Sequence, residues 1–449
     1  MKLRTLIASL SVFAAFAACA EDSLIQNVAV RQLWPWSGKV NIDYYYAGDT
    51  ATSVTFTATW KGQDTPVDLV GLKDSGAFVV SRGQHRFEWD PAAAGYGDAT
   101  LYDFKVEVKP GADSRTYLVL DLAKGGYTFL SAVPEGGWTD EYKKTKMVFR
   151  RVPAGTYVHG ADFDELDAYF GDFGGKTGAS LYTFQAKFLS GTPKRTVTHT
   201  SDFYLAIFPM TGRQRAALMG TSSTSMMPIY TFSDGTIFRG AKLADGETDV
   251  NWPATGYKVG ADSYVDRMRK LSSKTGQEEL LIDLPTENQW ETAMRMGTDT
   301  FFPNGGTTSS SFEEVTTIFH KIAWMKSQEG DGDTWTHDVG LKDPNGWGFY
   351  DMYVRGELML DWANDQGYYR TSTATKLDGA AGGADPVGPT SSAKGYRITR
   401  GNGQTVTTWS TAELAGELIS SRSTTTISSG TYNGCVRFAI HLKPLVDVK

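Results

Sequence analysis

The sequence predicts an α+β protein in which a small antiparallel β-sandwich precedes a larger mixed domain. Three observations carry that expectation. Residues 21–130 alternate apolar and polar side chains between closely spaced turn signals, with no long helical period. From residue 147 onward, short strand-like runs mix with helical patterns and long Gly/Ser/Thr loops. The composition agrees: 48 glycines, 12% aromatic and only 21% charged residues suit a loop-rich, β-containing globular chain.

The chain opens on an export pattern over residues 1–20. Lys2 and Arg4 precede an apolar run from Leu6 to Ala17, which is too short to span a bilayer. Ala18-Cys19-Ala20 then favours cleavage before Glu21. The alternative is a lipobox, Phe16-Ala17-Ala18-Cys19, with the lipid on Cys19. Either way the expected location is periplasmic, cell-surface or secreted. The later sequence contains no transmembrane pattern. A formal charge of -7 without a long basic run argues against nucleic acid as a partner.

The expected sandwich strands follow in order. Val28, Val30 and Leu33 mark one, Val40, Ile42 and Tyr44 the next, then Val54, Phe56 and Ala58. Phe104, Val106 and Val108 give another, and Leu118, Leu120 and Leu122 close the set. Trp34-Pro35-Trp36 reads as a packing plug at a strand end, because Pro35 is confined to edge or irregular positions; the competing reading is a surface aromatic pair. Turn residues begin at Gly125, and 131–146, with Pro134-Glu135-Gly136-Gly137, is expected to be a linker. The second domain is expected to run over 147–449.

The clearest local signal lies at Leu284-Pro285-Thr286-Glu287-Asn288-Gln289-Trp290. Thr286 and Gln289 have the spacing of a capping box, and Pro285 suits a helix start. Trp290, Ala293 and Met294 recur at helical spacing, so the helix is expected to bury its Trp290 side.

This stretch resembles the LPTEAEWEYA signature of the formylglycine-generating enzyme family, also called the sulfatase-modifying-factor family. Further blocks resemble that family in the same order. They include Pro153-Ala154-Gly155-Thr156-Tyr157, Pro344-Asn345-Gly346-Trp347-Gly348-Phe349-Tyr350-Asp351-Met352, Glu357 with Asp361-Trp362, Asp385-Pro386-Val387-Gly388-Pro389, Arg397-Ile398-Thr399-Arg400-Gly401 and Val436-Arg437-Phe438-Ala439. The resemblance implies a C-type-lectin-like α+β domain, with helices on a small, irregular antiparallel sheet.

The same resemblance implies chemistry whose residues are replaced here. Family enzymes oxidise a sulfatase cysteine to formylglycine with a copper-binding cysteine pair, and thiolates are the soft ligands Cu(I) favours. The positions that align with the pair are Ser420 and Thr425, flanking Arg422-Ser423. The chain has only Cys19 and Cys435. Signal cleavage leaves Cys435 in a strand-like run, where a buried apolar role is expected. No copper site is therefore expected. Calcium, which the family often holds, has Glu357 and Asp361 as weak candidates, since two carboxylates with few neutral oxygens make a poor cage. Asp331-Gly332-Asp333 lacks EF-hand spacing, and the six histidines are scattered.

The leading expectation is an exported, non-catalytic member serving as a binding or scaffold module for a glycan, peptide or cell-surface protein. The Ser/Thr-rich stretch from Thr405 to Thr431 would be its contact surface. The alternatives are a formylglycine-generating-type oxidoreductase and a structural cell-envelope protein.

Overall fold

A computed structural model describes residues 24–442, apart from 70–78, 111–114, 170–190, 233–238, 243–256, 306–311, 324–336, 363–381, 387–395, 402–418 and 427–431 and short gaps of one or two residues elsewhere. The chain divides into two units, Met1–Thr116 and Tyr117–Lys449.

In the first unit, β1 (Ile25–Gln32), β2 (Val40–Tyr46) and β6 (Gly83–Trp89) form an antiparallel sheet in the order β1-β2-β6. A second antiparallel set is built on β3 (Thr52–Thr59), which pairs with β4 (Val67–Asp68), β5 (Val79–Val80) and β7 (Lys105–Pro110). Alternate residues of both sets meet in one core. Val40, Ile42, Tyr44 and Tyr46 of β2 join Val54, Phe56 and Ala58 of β3 there, with Phe56 stacked on Phe87 at 4.5 Å between ring centroids. β1 departs from the expected alternation. The register shifts between Gln26 and Ala29, with Asn27 at φ 54°, and Val28 is left exposed while Ile25 is buried. A bulge inverts which residues face the core, and hydropathy does not report it.

In the second unit the main sheet is antiparallel and six-stranded. Its order is β17 (Leu281–Asp283), β23 (Ala439–His441), β13 (Phe203–Ala206), β10 (Lys146–Val152), β8 (Tyr117–Asp121) and β9 (Tyr127–Leu130). Beside it lie β11 (Gly155–His159), β12 (Arg195–His199) and β19 (Gly383–Ala384), and a three-stranded sheet of β18 (Glu357–Trp362), β20 (Tyr396–Arg400) and β21 (Ser423–Thr426). Short ladders pair β14 (Thr231–Phe232) with β22 (Tyr432–Asn433) and β15 (Arg239–Lys242) with β16 (Tyr257–Val259). The described helices are α1 (Glu141–Lys144), α2 (Gly212–Met219), α3 (Tyr264–Ser273), α4 (Glu287–Arg295) and α5 (Phe312–Ile322). The unit is α+β, as expected.

The boundary between the units differs from the expected one. Leu118, Leu120 and Leu122 are buried, but Leu118 pairs with Phe149 and Leu120 with Met147, so β8 belongs to the second unit. The expected linker lies inside that unit too. Trp138 is buried edge-on to Tyr117 at 5.0 Å and to Tyr142 at 5.1 Å, and α1 packs against β10. Period-two alternation identifies a strand but not the sheet that receives it.

This geometry sets an expectation for truncation. A chain starting at Tyr117 should fold cooperatively, whereas one starting at Met147 loses β8, β9 and the Trp138 contacts. Circular dichroism melts of the two fragments test this; a cooperative melt of the shorter fragment at an equal midpoint would contradict it.

Candidate functional site

The site is organised by α4. Thr286 Oγ1 accepts from Gln289 N–H at 3.1 Å, and Gln289 Oε1 accepts from Thr286 N–H at 3.0 Å, the capping box the spacing predicts. Asp361 Oδ2 accepts the next orphan donor, Glu287 N–H, at 2.7 Å. The Trp290 side is buried as expected, but so is the rest: every residue from Glu287 to Arg295 is buried. The polar face of this helix meets protein because it meets arginines.

Glu287 accepts from Arg400 Nη1 at 3.0 Å and from Arg422 Nε. Glu291 accepts from Arg400 Nη2 at 2.8 Å, Arg295 Nε at 2.8 Å and Gly160 N–H at 2.7 Å, with Arg195 Nη2 at 3.6 Å. Burial alone would raise the Glu291 carboxyl, but Arg295, Arg400 and Arg195 override it and hold Glu291 well below the usual range. Burial brings Arg195 down to about 10. A second pair lies on the apolar side. Glu357 receives Arg437 Nη2 at 2.7 Å and Trp290 Nε1 at 2.7 Å, while Arg437 also donates to the carbonyls of Ala206 and Tyr350. Arg400 lies over the Trp290 ring at 5.2 Å and joins the two groups.

Ser420 and Thr425, the positions expected to align with the family cysteines, lie beside this network. Arg400 Nη2 donates to Ile419 C=O at 2.7 Å, and Ile419 N–H donates to Phe301 C=O at 2.9 Å, which fixes the turn carrying Ser420. Ser420 is buried, and a Cβ at Gly191 would lie 2.4 Å from its Oγ, so Gly191 packs directly on it. Thr425 lies on β21, paired opposite Arg397 of β20. Cys435 is wholly buried in a backbone bridge to Glu357, its N–H donating to Gly356 C=O at 2.7 Å. The weak calcium candidates both lie on β18 and both serve protein partners: Glu357 holds Arg437 and Trp290, and Asp361 holds the start of α4. Among the described residues, no group of three or more His, Cys, Asp or Glu is placed to hold a metal. Asp331-Gly332-Asp333 lies outside the described residues, as does most of the Thr405–Thr431 stretch.

Sequence reasoning missed a histidine chain. His159 Nδ1 faces Asn288 Oδ1 at 3.2 Å, so that nitrogen carries the proton. His159 Nε2 then accepts from Thr292 Oγ1 at 2.8 Å, which makes His199 Nε2 the donor to Thr292 at 2.7 Å. His441 donates from Nε2 to Leu284 C=O and accepts at Nδ1 from Gln289. By this accounting the His159 and His441 rings are neutral, since each has one nitrogen that accepts. Burial moves His159 and His441 down to about 3 and His199 to about 4. The signal available in sequence was Asn288 and Thr292, two small polar residues four apart on a helix; their partners on β11 and β12 come from elsewhere in the chain.

Open volume lies beside the closed turn. A cleft of ≈ 490 Å³ is lined by Glu165, Tyr169, Lys194, Asp299, Thr300 and Phe301. Lys194 Nζ lies 3.4 Å from Asp299 and 4.0 Å from Glu165. Phe301 is the residue whose carbonyl holds Ile419, so the cleft borders the segment carrying Ser420.

The α+β unit and the capped helix with its buried Trp290 side are as the sequence motifs lead one to expect; the paired arginines around that helix are not. The family model "Sulfatase-modifying factor enzyme 1-like domain" matches residues 138–425, more than half of the chain. The chain belongs to the sulfatase-modifying-factor family. Among solved structures it is similar to PvdO from Pseudomonas aeruginosa, at 19% identity over 66% of this chain and 94% of that chain, with a TM-score of 0.35. Among curated proteins nothing matches.

Two expectations follow for stability. Glu291→Gln keeps the shape but leaves three guanidinium groups facing a neutral amide, so it should cost about 3–5 kcal/mol. Urea unfolding at neutral pH measures this, and a loss under 1 kcal/mol would contradict it. The second concerns acid. His159, His199 and His441 have folded pKa values below their ordinary 6.5. The unfolded chain therefore binds protons first, and stability is lost as pH falls below 6.5 toward 4 and 3. Each ring contributes about 1.4 kcal/mol per pH unit in that window, and the depressed Glu291 acts in the same direction. Asp351, raised by burial to about 6, acts the other way, favouring the fold below 3.8 and losing that benefit as pH rises through 6. Three imidazoles outweigh one carboxyl, so the urea midpoint should drop clearly from pH 7 to pH 5. An unchanged midpoint would count against the neutral assignment.

Proposed function

We propose that this is an exported, non-catalytic member of its family, acting as a binding or scaffold module for a glycan, peptide or cell-surface protein. The observation that carries this reading is the state of the turn after Ile419. It bears the Ser420 hydroxyl, and β21 bears that of Thr425, at the positions where the family's copper chemistry needs thiolates, and Gly191 packs on Ser420. Cys435 offers no substitute, because a wholly buried thiol is inert. Export is supported by the pattern over residues 1–20, with cleavage before Glu21 favoured over lipid attachment at Cys19. The first unit reads as a sandwich-like module, and the second as C-type-lectin-like. Recognition is assigned to the cleft at Lys194 and Asp299, which combines aromatic, acidic, basic and hydroxyl groups at one mouth.

The test is a peptide-oxidation assay with copper and oxygen on a sulfatase-motif peptide, run beside Cys435→Ser and with Cu(I) titration. No turnover and no tight Cu(I) binding are expected. Turnover that vanishes in the Cys435→Ser protein would overturn the reading in favour of an oxidoreductase. Mass spectrometry of the native N-terminus should show Glu21 first; a diacylglyceryl group on Cys19 would instead establish the lipoprotein.

A further inference from the structure

We propose that the cleft at Glu165, Lys194 and Asp299 is an ammonium site: it takes an alkylammonium group, and the Lys194 side chain is the tethered occupant that such a ligand displaces. Given recognition at this cleft, the reading on which this inference rests, the lining selects its ligand by charge. Among the described residues, Glu165 and Asp299 line the cleft against one base, Lys194. A third carboxylate stands close by, since burial and then Glu314 raise the hydroxyl of Tyr169 in the same wall. The segment 162–172, which supplies Glu165 and Tyr169, carries Asp162, Asp164, Asp167 and Asp172 as well, and no base. Such a mouth repels an anion, and a neutral sugar leaves its charge unanswered. A cation answers it, and cations are also the charged groups that aromatic walls such as Tyr169 and Phe301 attract.

The form of the cation follows from Lys194. Its Nζ stands 3.4 Å from Asp299 and 4.0 Å from Glu165, one compact charge shared between separate carboxylates. That arrangement suits an ammonium, whereas a planar guanidinium prefers one carboxylate held by parallel bonds. Both contacts are long, and Lys194 is 34%, Asp299 64% and Glu165 50% exposed. Exposed pairs of this kind contribute little, so Lys194 can swing into water and yield its place at small cost. A volume of ≈ 490 Å³ leaves room for the ligand's apolar stem beside Tyr169 and Phe301. The lysine is thus a built-in competitor, and its removal should tighten binding rather than weaken it.

Isothermal titration of the full chain tests this, with cadaverine as the probe for a free polyamine and Nα-acetyl-lysine amide as the probe for a peptide side chain. The parent is run beside Lys194→Met and Asp299→Asn. The expected result is that the parent binds an ammonium probe, and the tighter of the pair identifies the source. The Nε-acetylated lysine amide, which lacks the charge, and the matching arginine amide should bind about tenfold more weakly. Lys194→Met should tighten binding about threefold, Asp299→Asn should weaken it about tenfold, and high salt should weaken it in the parent. Both substituted side chains reach solvent, so the variants should melt with the parent. No binding by the parent, weaker binding by Lys194→Met, or equal binding of the acetylated form would each overturn the proposal. Binding of chitotriose that Asp299→Asn abolishes would overturn the ammonium site while leaving recognition at the cleft in place. Ammonium binding indifferent to both substitutions would remove recognition from the cleft as well.

Discussion

The second unit depends on the buried contact between two carboxylates of α4, Glu287 and Glu291, and the guanidinium groups of Arg195, Arg295, Arg400 and Arg422. Removing charges from water costs several kcal/mol per ion, and only tight, multiply bonded pairing offsets it. The helix therefore cannot shift without leaving a charge unpaired. The contact also spans the chain. Arg195 comes from β12, Arg400 from β20 and Arg422 from the segment before β21, so segments far apart in sequence are referred to one nine-residue helix.

The same frame holds the turn at Ser420 in its place. Ile419 is held through its backbone, by Arg400 on one side and Phe301 on the other, and Arg422 is held by Glu287. None of these bonds uses the side chains at 420 or 425. The turn is positioned by main chain and buried arginines, so its place in the fold does not depend on which side chains stand at 420 and 425. Glu357 and Asp361 illustrate the reverse. They look like spare acids in the sequence, yet both are consumed in joining α4 to β18.

Local patterns determined much of this protein. The capping box at Thr286, the buried Trp290 face, the strands led by Val40, Ile42, Tyr44 and by Val54, Phe56, Ala58, and the ordered family motifs all depend on neighbours a few residues apart. Such signals are written in propensity, spacing and alternation. Only the tertiary structure decided the rest. It assigned Leu118 and Leu120 to the sheet of β10, turned Val28 and Trp36 outward, buried the polar face of α4 and linked His159 to His199 through Thr292. The physical reason is common to all four. Each outcome depends on which distant partner a strand edge or a charge meets, and a one-residue bulge or a buried arginine reverses what local hydropathy implies.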